Sequence, residues 1–292
     1  MERLIYIWRL LRIKQWVKNF FIFVPLIFSG GLFQKALLTD VATTFAGFCF
    51  LASGLYVFND FLDSKKDRLH PDKSQRPLAR KKLPVGLVTL LILFLLGVGL
   101  GICWMTDLMI FYIAVVYIIV HLIYNLLTKQ IVILDVFFVA IGFQIRIWAG
   151  SYAALVLPSV WLQLCVFLLA LFLGFTKRRY EISTLKDLAS EHRTVLAHYS
   201  VYLLDQIIMI CSSLTIICYG LYTISADVAF RLGGHQNMIY SLLFVIYGLF
   251  RYLYLVHVRK LGGDPGEMMF QDKPLLISII LWAMYSVLLL YF

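Results

Sequence analysis

Nine long apolar runs, separated by polar segments that are short except at 59–83 and 177–201, constrain this chain more than any other feature. They fall at about 19–37, 41–58, 84–104, 107–125, 131–150, 158–176, 202–223, 238–256 and 274–292. A bilayer's hydrocarbon core is about 30 Å thick and is crossed by about 20 helical residues. Backbone polar groups in lipid must be satisfied within the crossing segment or a closed barrel. The expectation is therefore an all-α polytopic membrane protein with nine transmembrane helices, forming one integral domain over 1–292. Only 14% of the residues are charged, where a soluble domain has about a quarter.

The basic residues set the orientation. With the N-terminus in the cytoplasm, the inner segments hold five bases in 1–18, eight in 59–83, Lys129, five in 177–201, and Arg259, Lys260 and Lys273. The outer segments hold only Lys35 and Arg231, while Arg146 and Arg251 lie within spans. This asymmetry predicts a cytoplasmic N-terminus and an outside C-terminus. No small-residue cleavage site follows the basic N-terminal stretch, so no signal peptide is expected. The net charge of +10 is spread along span ends, which suits lipid headgroups and anionic substrates and argues against nucleic acid. Cys49, Cys103, Cys165, Cys211 and Cys218 all fall in apolar runs without a CxxC pair, and read as small buried hydrophobes. Gly97, Gly99 and Gly101 follow no strand, so close helix packing is expected of them and not a phosphate loop.

Chemistry is concentrated at the cytoplasmic ends. Asn59, Asp63 and Asp67 recur every fourth residue, with Asp60 beside them, and share one face of a helix. Oxygen donors in this pattern suit Mg²⁺, which is commonly held by one or two carboxylates plus substrate phosphates. Bases follow at once, among them Lys73 and Arg76 before Pro77, where a stiffened turn suits phosphate binding. The same bases also serve as topology-setting charge. Lys14 and Lys18 are four apart near the first span, with Trp16 between them as an interface anchor. Tyr124 ends the fourth run, Asn125 and Lys129 lie in the short break before the fifth, and Asp135 and Arg146 sit inside that fifth run. Charges at that depth need partners or a polar cavity. About three helical turns separate Asp135 from Arg146, so each is expected to find other partners within the bundle. Lys177, Arg178, Arg179 and Glu181 end the sixth run; three successive bases cannot all face one site.

These residues together resemble the UbiA-type intramembrane prenyltransferase superfamily, whose signature is Asn59-x3-Asp63-x3-Asp67 after span two with a second polar loop after span six. The branch of decaprenyl-phosphate phosphoribosyltransferases is more closely matched. Its pattern is seen in Lys14-Gln15-Trp16-Val17-Lys18-Asn19, Asp67-Arg68-x-His70-Pro71, Lys177-Arg178-Arg179-x-Glu181, Tyr199-x5-Asp205-Gln206 and Gly262-Gly263-Asp264-Pro265. The resemblance implies 5-phosphoribosyl 1-diphosphate as donor, a polyprenyl phosphate lipid as acceptor, and location in a bacterial cytoplasmic membrane, with a homo-oligomer allowed. It implies Mg²⁺ on Asp60, Asp63 and Asp67 assisted by Asn59, phosphate contacts from Lys18, Lys73, Arg76, Lys129 and Lys177, and further substrate contacts from Lys14, Tyr124, Asp135 and Glu181. One departure matters: aromatic prenyltransferases of the superfamily carry a second Asp-rich motif where this chain has Lys177, Arg178 and Arg179. A basic second site suits two anionic substrates. An aromatic-acceptor prenyltransferase and a transporter remain the alternatives, the transporter requiring broken helices at mid-membrane.

Overall fold

The structure is a computed structural model that describes residues 10–68, 74, 78–80, 83–185, 194–233, 236–263 and 265–292. Lys73 and Arg76 lie outside the described residues. Every regular element among the described residues is helical. A 3₁₀ helix, Ile13–Phe23, runs into α1 (Val24–Phe28); then come α2 (Lys35–Asp67), α3 (Val85–Thr106), α4 (Leu108–Leu126) and α5 (Leu134–Ala153). The second half holds α6 (Val160–Leu185), α7 (Val201–Thr223), α8 (Ala226–Arg231), α9 (Leu242–His257), α10 (Pro265–Gln271) and α11 (Lys273–Tyr291). Eight helical stretches among the described residues are long and apolar enough to cross a membrane.

The first expected run, 19–37, departs from a single α-helix. It is divided among the 3₁₀ helix, the short α1 and a turn in which Gly30 adopts φ 79° before α2 begins. Pro25 stands in the first turn of α1, where its missing N–H interrupts the ladder. The change of helix type also alters a predicted face. At three residues per turn, positions four apart are a third of a turn out of phase, so Lys14 and Lys18 do not share a face. Lys14 projects outward with its side chain 87% exposed, its ammonium 3.8 Å from Glu267 on α10.

Helix boundaries follow local chemistry. Asp107 alone separates α3 from α4: its N–H closes the last turn of α3 on Cys103, and its carboxylate accepts from the Met109 and Ile110 N–H groups at 2.7 and 3.4 Å. Ser200 caps α7 through Leu203 N–H, and Asp272 caps α11 through Leu275 N–H. The Arg251 guanidinium, donating to Asp272, holds that carboxyl below its ordinary range.

Glycines permit the closest helix approaches. A Cβ on Gly99 would lie 2.7 Å from Leu51, and one on Gly47 would lie 2.7 Å from Cys103 Sγ, so α2 and α3 pack backbone to side chain. The expected packing role thus holds for Gly99; Gly97 and Gly101 face open space. At Gly150 on α5 a Cβ would stand 2.0 Å from the Ile22 carbonyl oxygen, which fixes the 3₁₀ helix against α5. Helix α5 joins two core clusters. Val136 and Ala140 pack with Phe172, Phe175, Leu204 and Leu255, whereas Ala149 and Ala153 pack with Ile22, Leu26, Phe48 and Tyr117. The five cysteines are free and buried.

Gly150→Ala is expected to overpack this contact and to destabilise the protein by about 1–3 kcal/mol or more. Gly97→Ala, with open space at its Cβ, is expected to be neutral or slightly stabilising. Thermal unfolding of the two purified variants in detergent checks the contrast.

Candidate active site

The carboxylate face is part of α2 itself. At 1.5 Å per residue its 33 residues extend about 50 Å, beyond a hydrocarbon core of about 30 Å. The turns carrying Asn59, Asp60, Asp63 and Asp67 therefore continue past the apolar stretch as ordered helix. Asp60 is buried and receives the Arg12 guanidinium at 2.5 Å. Arg12 holds a left-handed backbone, φ 49° and ψ 47°, at the start of the 3₁₀ helix and lies over the Tyr56 ring. Asp63, one turn further along α2, accepts from Lys129 Nζ at 2.6 Å. Asp67 is buried, and Asn59 is half-buried.

Lys129 is delivered by a one-turn 3₁₀ helix, Thr128–Gln130, between α4 and α5. A few residues on, Asp135 opens α5 fully buried. Its two oxygens accept from Arg178 Nε at 2.6 Å and the Tyr199 hydroxyl at 2.8 Å. Arg178 also donates to Glu181 Oε2 at 2.8 Å, and Tyr124 lies within its electrostatic reach. Arg179, next in the chain, turns the other way and pairs with Asp205 on α7, which also meets His257 Nε2 at 3.2 Å. Three helix ends, those of α6, α7 and α9, are thus tied by polar side-chain contacts at the same end of the bundle as Asp63 and Lys129.

Deeper in the bundle, Arg146 is 4% exposed. It donates to Asn19 Oδ1 at 2.7 Å, the Gly142 carbonyl at 2.8 Å and the Tyr117 hydroxyl at 2.6 Å, and lies over the Tyr117 and Phe143 rings. Asp135 and Arg146 therefore take separate partners, as their spacing on one helix predicts.

The structure brings together Asp60, Asp63 and Lys129 on one side, and Asp135, Glu181 and Tyr124 around Arg178 on the other. Lys18 and Lys177 are half-buried at the same end. Sequence reasoning passed over Arg12, Arg178 and Tyr199 as site residues. Arg178 had a legible signal: Leu171, Phe175 and Arg178 follow one another at +4 and +3, and all three are buried. Arg12 depended on the 3₁₀ phase, and Tyr199 had no local signal beyond its family motif.

The donors on α2 fit a hard divalent cation. No group of three or more His, Cys, Asp or Glu side chains among the described residues is clustered for metal binding. One or two carboxylates plus phosphate oxygens suffice for Mg²⁺, so Asp63 and Asp67, with the Asn59 amide oxygen, suit a site completed by substrate.

Comparison with known proteins gives a consistent result. The UbiA prenyltransferase family matches residues 20–271. A decaprenyl-phosphate phosphoribosyltransferase of Corynebacterium glutamicum is 30% identical over 285 residues, covering 96% of this chain and 85% of that protein. Its counterpart in Mycolicibacterium smegmatis is 29% identical over 279 residues, covering 93% and 88%. A solved UbiA homolog from Archaeoglobus fulgidus bound to DMAPP and Mg²⁺ has the same fold, with a TM-score of 0.73 at 18% identity over 97% of this chain and 98% of that one.

Asp135→Ala is expected to strand the buried Arg178 guanidinium and cost about 3 kcal/mol, the low end for a broken buried pair because Glu181 remains. Asp135→Ala combined with Arg178→Met should recover most of that loss. Unfolding midpoints of the single and double variants measure the difference.

Proposed function

This chain belongs to the UbiA prenyltransferase family and is a multi-pass membrane transferase; we propose that it moves a 5-phosphoribosyl group from 5-phosphoribosyl 1-diphosphate to a polyprenyl phosphate, releasing diphosphate. The observation that carries this reading is the arginine-centred second site. Where an Asp-rich motif would bind a second metal, Arg178 sits between Asp135 and Glu181, with Lys177 beside it. Cationic groups at two places, Lys129 facing α2 and Arg178 facing α5, suit a reaction in which donor and acceptor are anions. The names of the 27–30% identical relatives support the same substrates.

In this mechanism Asp63 and Asp67, with Asp60 and Asn59, would hold Mg²⁺ against the donor's diphosphate end. Mg²⁺, when bound there, supplies charge neutralisation to the departing diphosphate. Lys129 and Lys18, joined by Lys73 and Arg76, contact phosphate oxygens, and Lys177 and Lys14 line the approach. Asp135 orients Arg178, and Glu181 and Tyr124 contact the ribose side. The bond from the anomeric carbon to the diphosphate oxygen breaks, and its electron pair leaves with diphosphate. An oxygen of the lipid phosphate forms the new bond from the opposite face. The acceptor is already an anion, so no proton is removed and no general base is required. Arg12 neutralises Asp60 and keeps that carboxylate oriented between the 3₁₀ helix and α2.

Nine crossings accompany this reading. Eleven residues of 3₁₀ helix and five of α-helix span about 30 Å at rises of about 2.0 and 1.5 Å, enough for Ile13–Phe28 to make the first crossing. The N-terminus then lies in the cytoplasm and the C-terminus outside, with the site at the cytoplasmic face of a bacterial inner membrane. A homo-oligomer is compatible with this arrangement.

The test is purified protein in detergent with Mg²⁺, radiolabelled 5-phosphoribosyl 1-diphosphate and a polyprenyl phosphate. Label recovered in an organic-extractable phosphodiester and lost with EDTA supports the proposal. Absence of label, with Mg²⁺-dependent consumption of a prenyl diphosphate and prenylation of an aromatic acceptor, would replace it. Asp63→Asn is expected to lower transfer at least about a hundredfold while the protein folds and inserts normally; near-normal turnover would remove Asp63 from the metal site.

A further inference from the structure

The turn between Lys129 and Asp135 is strained; the Asp135 N–H closes it on the Ile131 carbonyl at 3.0 Å, and one side-chain hydroxyl reinforces it. Ile133 has φ 70° and ψ −49°, a conformation foreign to a β-branched residue. The Leu134 N–H donates to the Val132 carbonyl at 2.8 Å, so Val132–Leu134 forms a γ-turn of the strained, left-handed kind. Ile133 is 41% exposed, so its own packing does not impose this geometry. What meets the turn is Tyr199, 6% exposed and arriving from the segment before α7. Its hydroxyl accepts the Ile133 N–H at 2.6 Å and donates to Asp135 Oδ1 at 2.8 Å. Burial, then Asp135, raise the phenol's pKa above its ordinary range, so the hydroxyl keeps the hydrogen it donates.

We propose that Tyr199 is a positioning residue for the transfer reaction: its hydroxyl clamps the strained Val132–Leu134 turn and thereby sets Lys129 against Asp63 and Arg178 against Asp135. This inference rests on the phosphate contact given above to Lys129 and on the cationic second site built around Arg178. Strained backbone persists only where its surroundings over-determine it, and tends to gather at functional sites. Among the described residues, non-glycine positive φ occurs at Arg12, Ile133, Leu155 and Lys260, and the first two border the two halves of this site. One small group serves both halves. Upstream of the turn is the loop carrying Lys129; downstream is the carboxylate that orients Arg178.

Four proteins test it: wild type, Tyr199→Phe, Ile133→Gly and the double variant. Phe keeps the ring that lies edge-on to Phe175 and removes only the hydroxyl. Tyr199→Phe is expected to lower kcat/KM by about tenfold or more through donor KM as well as kcat. Ile133→Gly, free to adopt positive φ, should stay near wild type. Added to Tyr199→Phe, it should recover most of the lost activity, because glycine keeps the turn without a clamp. A structural role for Tyr199 unrelated to the turn would not be rescued by glycine at 133. Unaltered activity in Tyr199→Phe, or no rescue in the double variant, overturns the proposal.

Amide hydrogen exchange over residues 131–136 reads the turn with no substrate present. Exchange should be slow in wild type, faster in Tyr199→Phe, and slowed again at Leu134 and Asp135 in the double variant. A freely exchanging Ile133 amide in wild type also overturns it. If wild type transfers no phosphoribose, the four proteins are assayed with a prenyl diphosphate and an aromatic acceptor. The substrate assignment would then fail while the clamp is still judged by the same pattern and by exchange.

Discussion

A charge buried among membrane helices has no water to fall back on, and the contact between Asp135 and Arg178 meets that constraint for this whole end of the bundle. Asp135 is fully buried and Arg178 nearly so, and each donor or acceptor named on them has a partner. The pair joins the start of α5 to the end of α6. Tyr199 adds the segment leading into α7, and Glu181 keeps the guanidinium held from its own helix. Removing either partner would leave a charge that the surroundings cannot solvate. The neighbouring Arg179–Asp205–His257 contacts and the Arg12–Asp60 and Lys129–Asp63 pairs extend the same rule around the bundle. A set of carboxylates and bases that neutralise one another in the protein alone is also one that can exchange partners when phosphate oxygens arrive.

Arg146 solves the same problem without a carboxylate. Its hydrogen bonds go to an amide, a carbonyl and a phenol, and its flat face meets two aromatic rings. Through Asn19 it reaches the 3₁₀ helix, and Asn19 in turn donates to Cys49 Sγ on α2. The N-terminal segment is thus held at two depths, by polar contact at Asn19 and by backbone proximity at Gly150. Both holds sit below Arg12 and fix where its guanidinium meets Asp60.

Much of this was legible in the chain. Apolar run lengths located eight of the helices, and the four-residue recurrence of Asn59, Asp63 and Asp67 kept its meaning because α2 continues unbroken through Asp67. The separation of Asp135 from Arg146 also followed from helical rise alone. The 3₁₀ form of Ile13–Phe23 was not legible, because the contact that accompanies it, Ile22 against Gly150, is tertiary. Among Lys177, Arg178 and Arg179, which base turns inward depends on helix phase, and that phase is set by Phe175 and its buried neighbours. Tyr199 acts through a turn more than sixty residues away, and no local pattern announces such a partner.

Asp107 has a consequence for the phase of the whole first half. Because this one residue ends α3 and begins α4, there is no slack between them. An added residue there would rotate α4 by about 100° relative to α3. The Tyr117 hydroxyl would swing away from Arg146, and Lys129, at the far end of α4, would no longer face Asp63. The tight turn at Asp107 therefore acts as an angular index for groups at the opposite end of the helix.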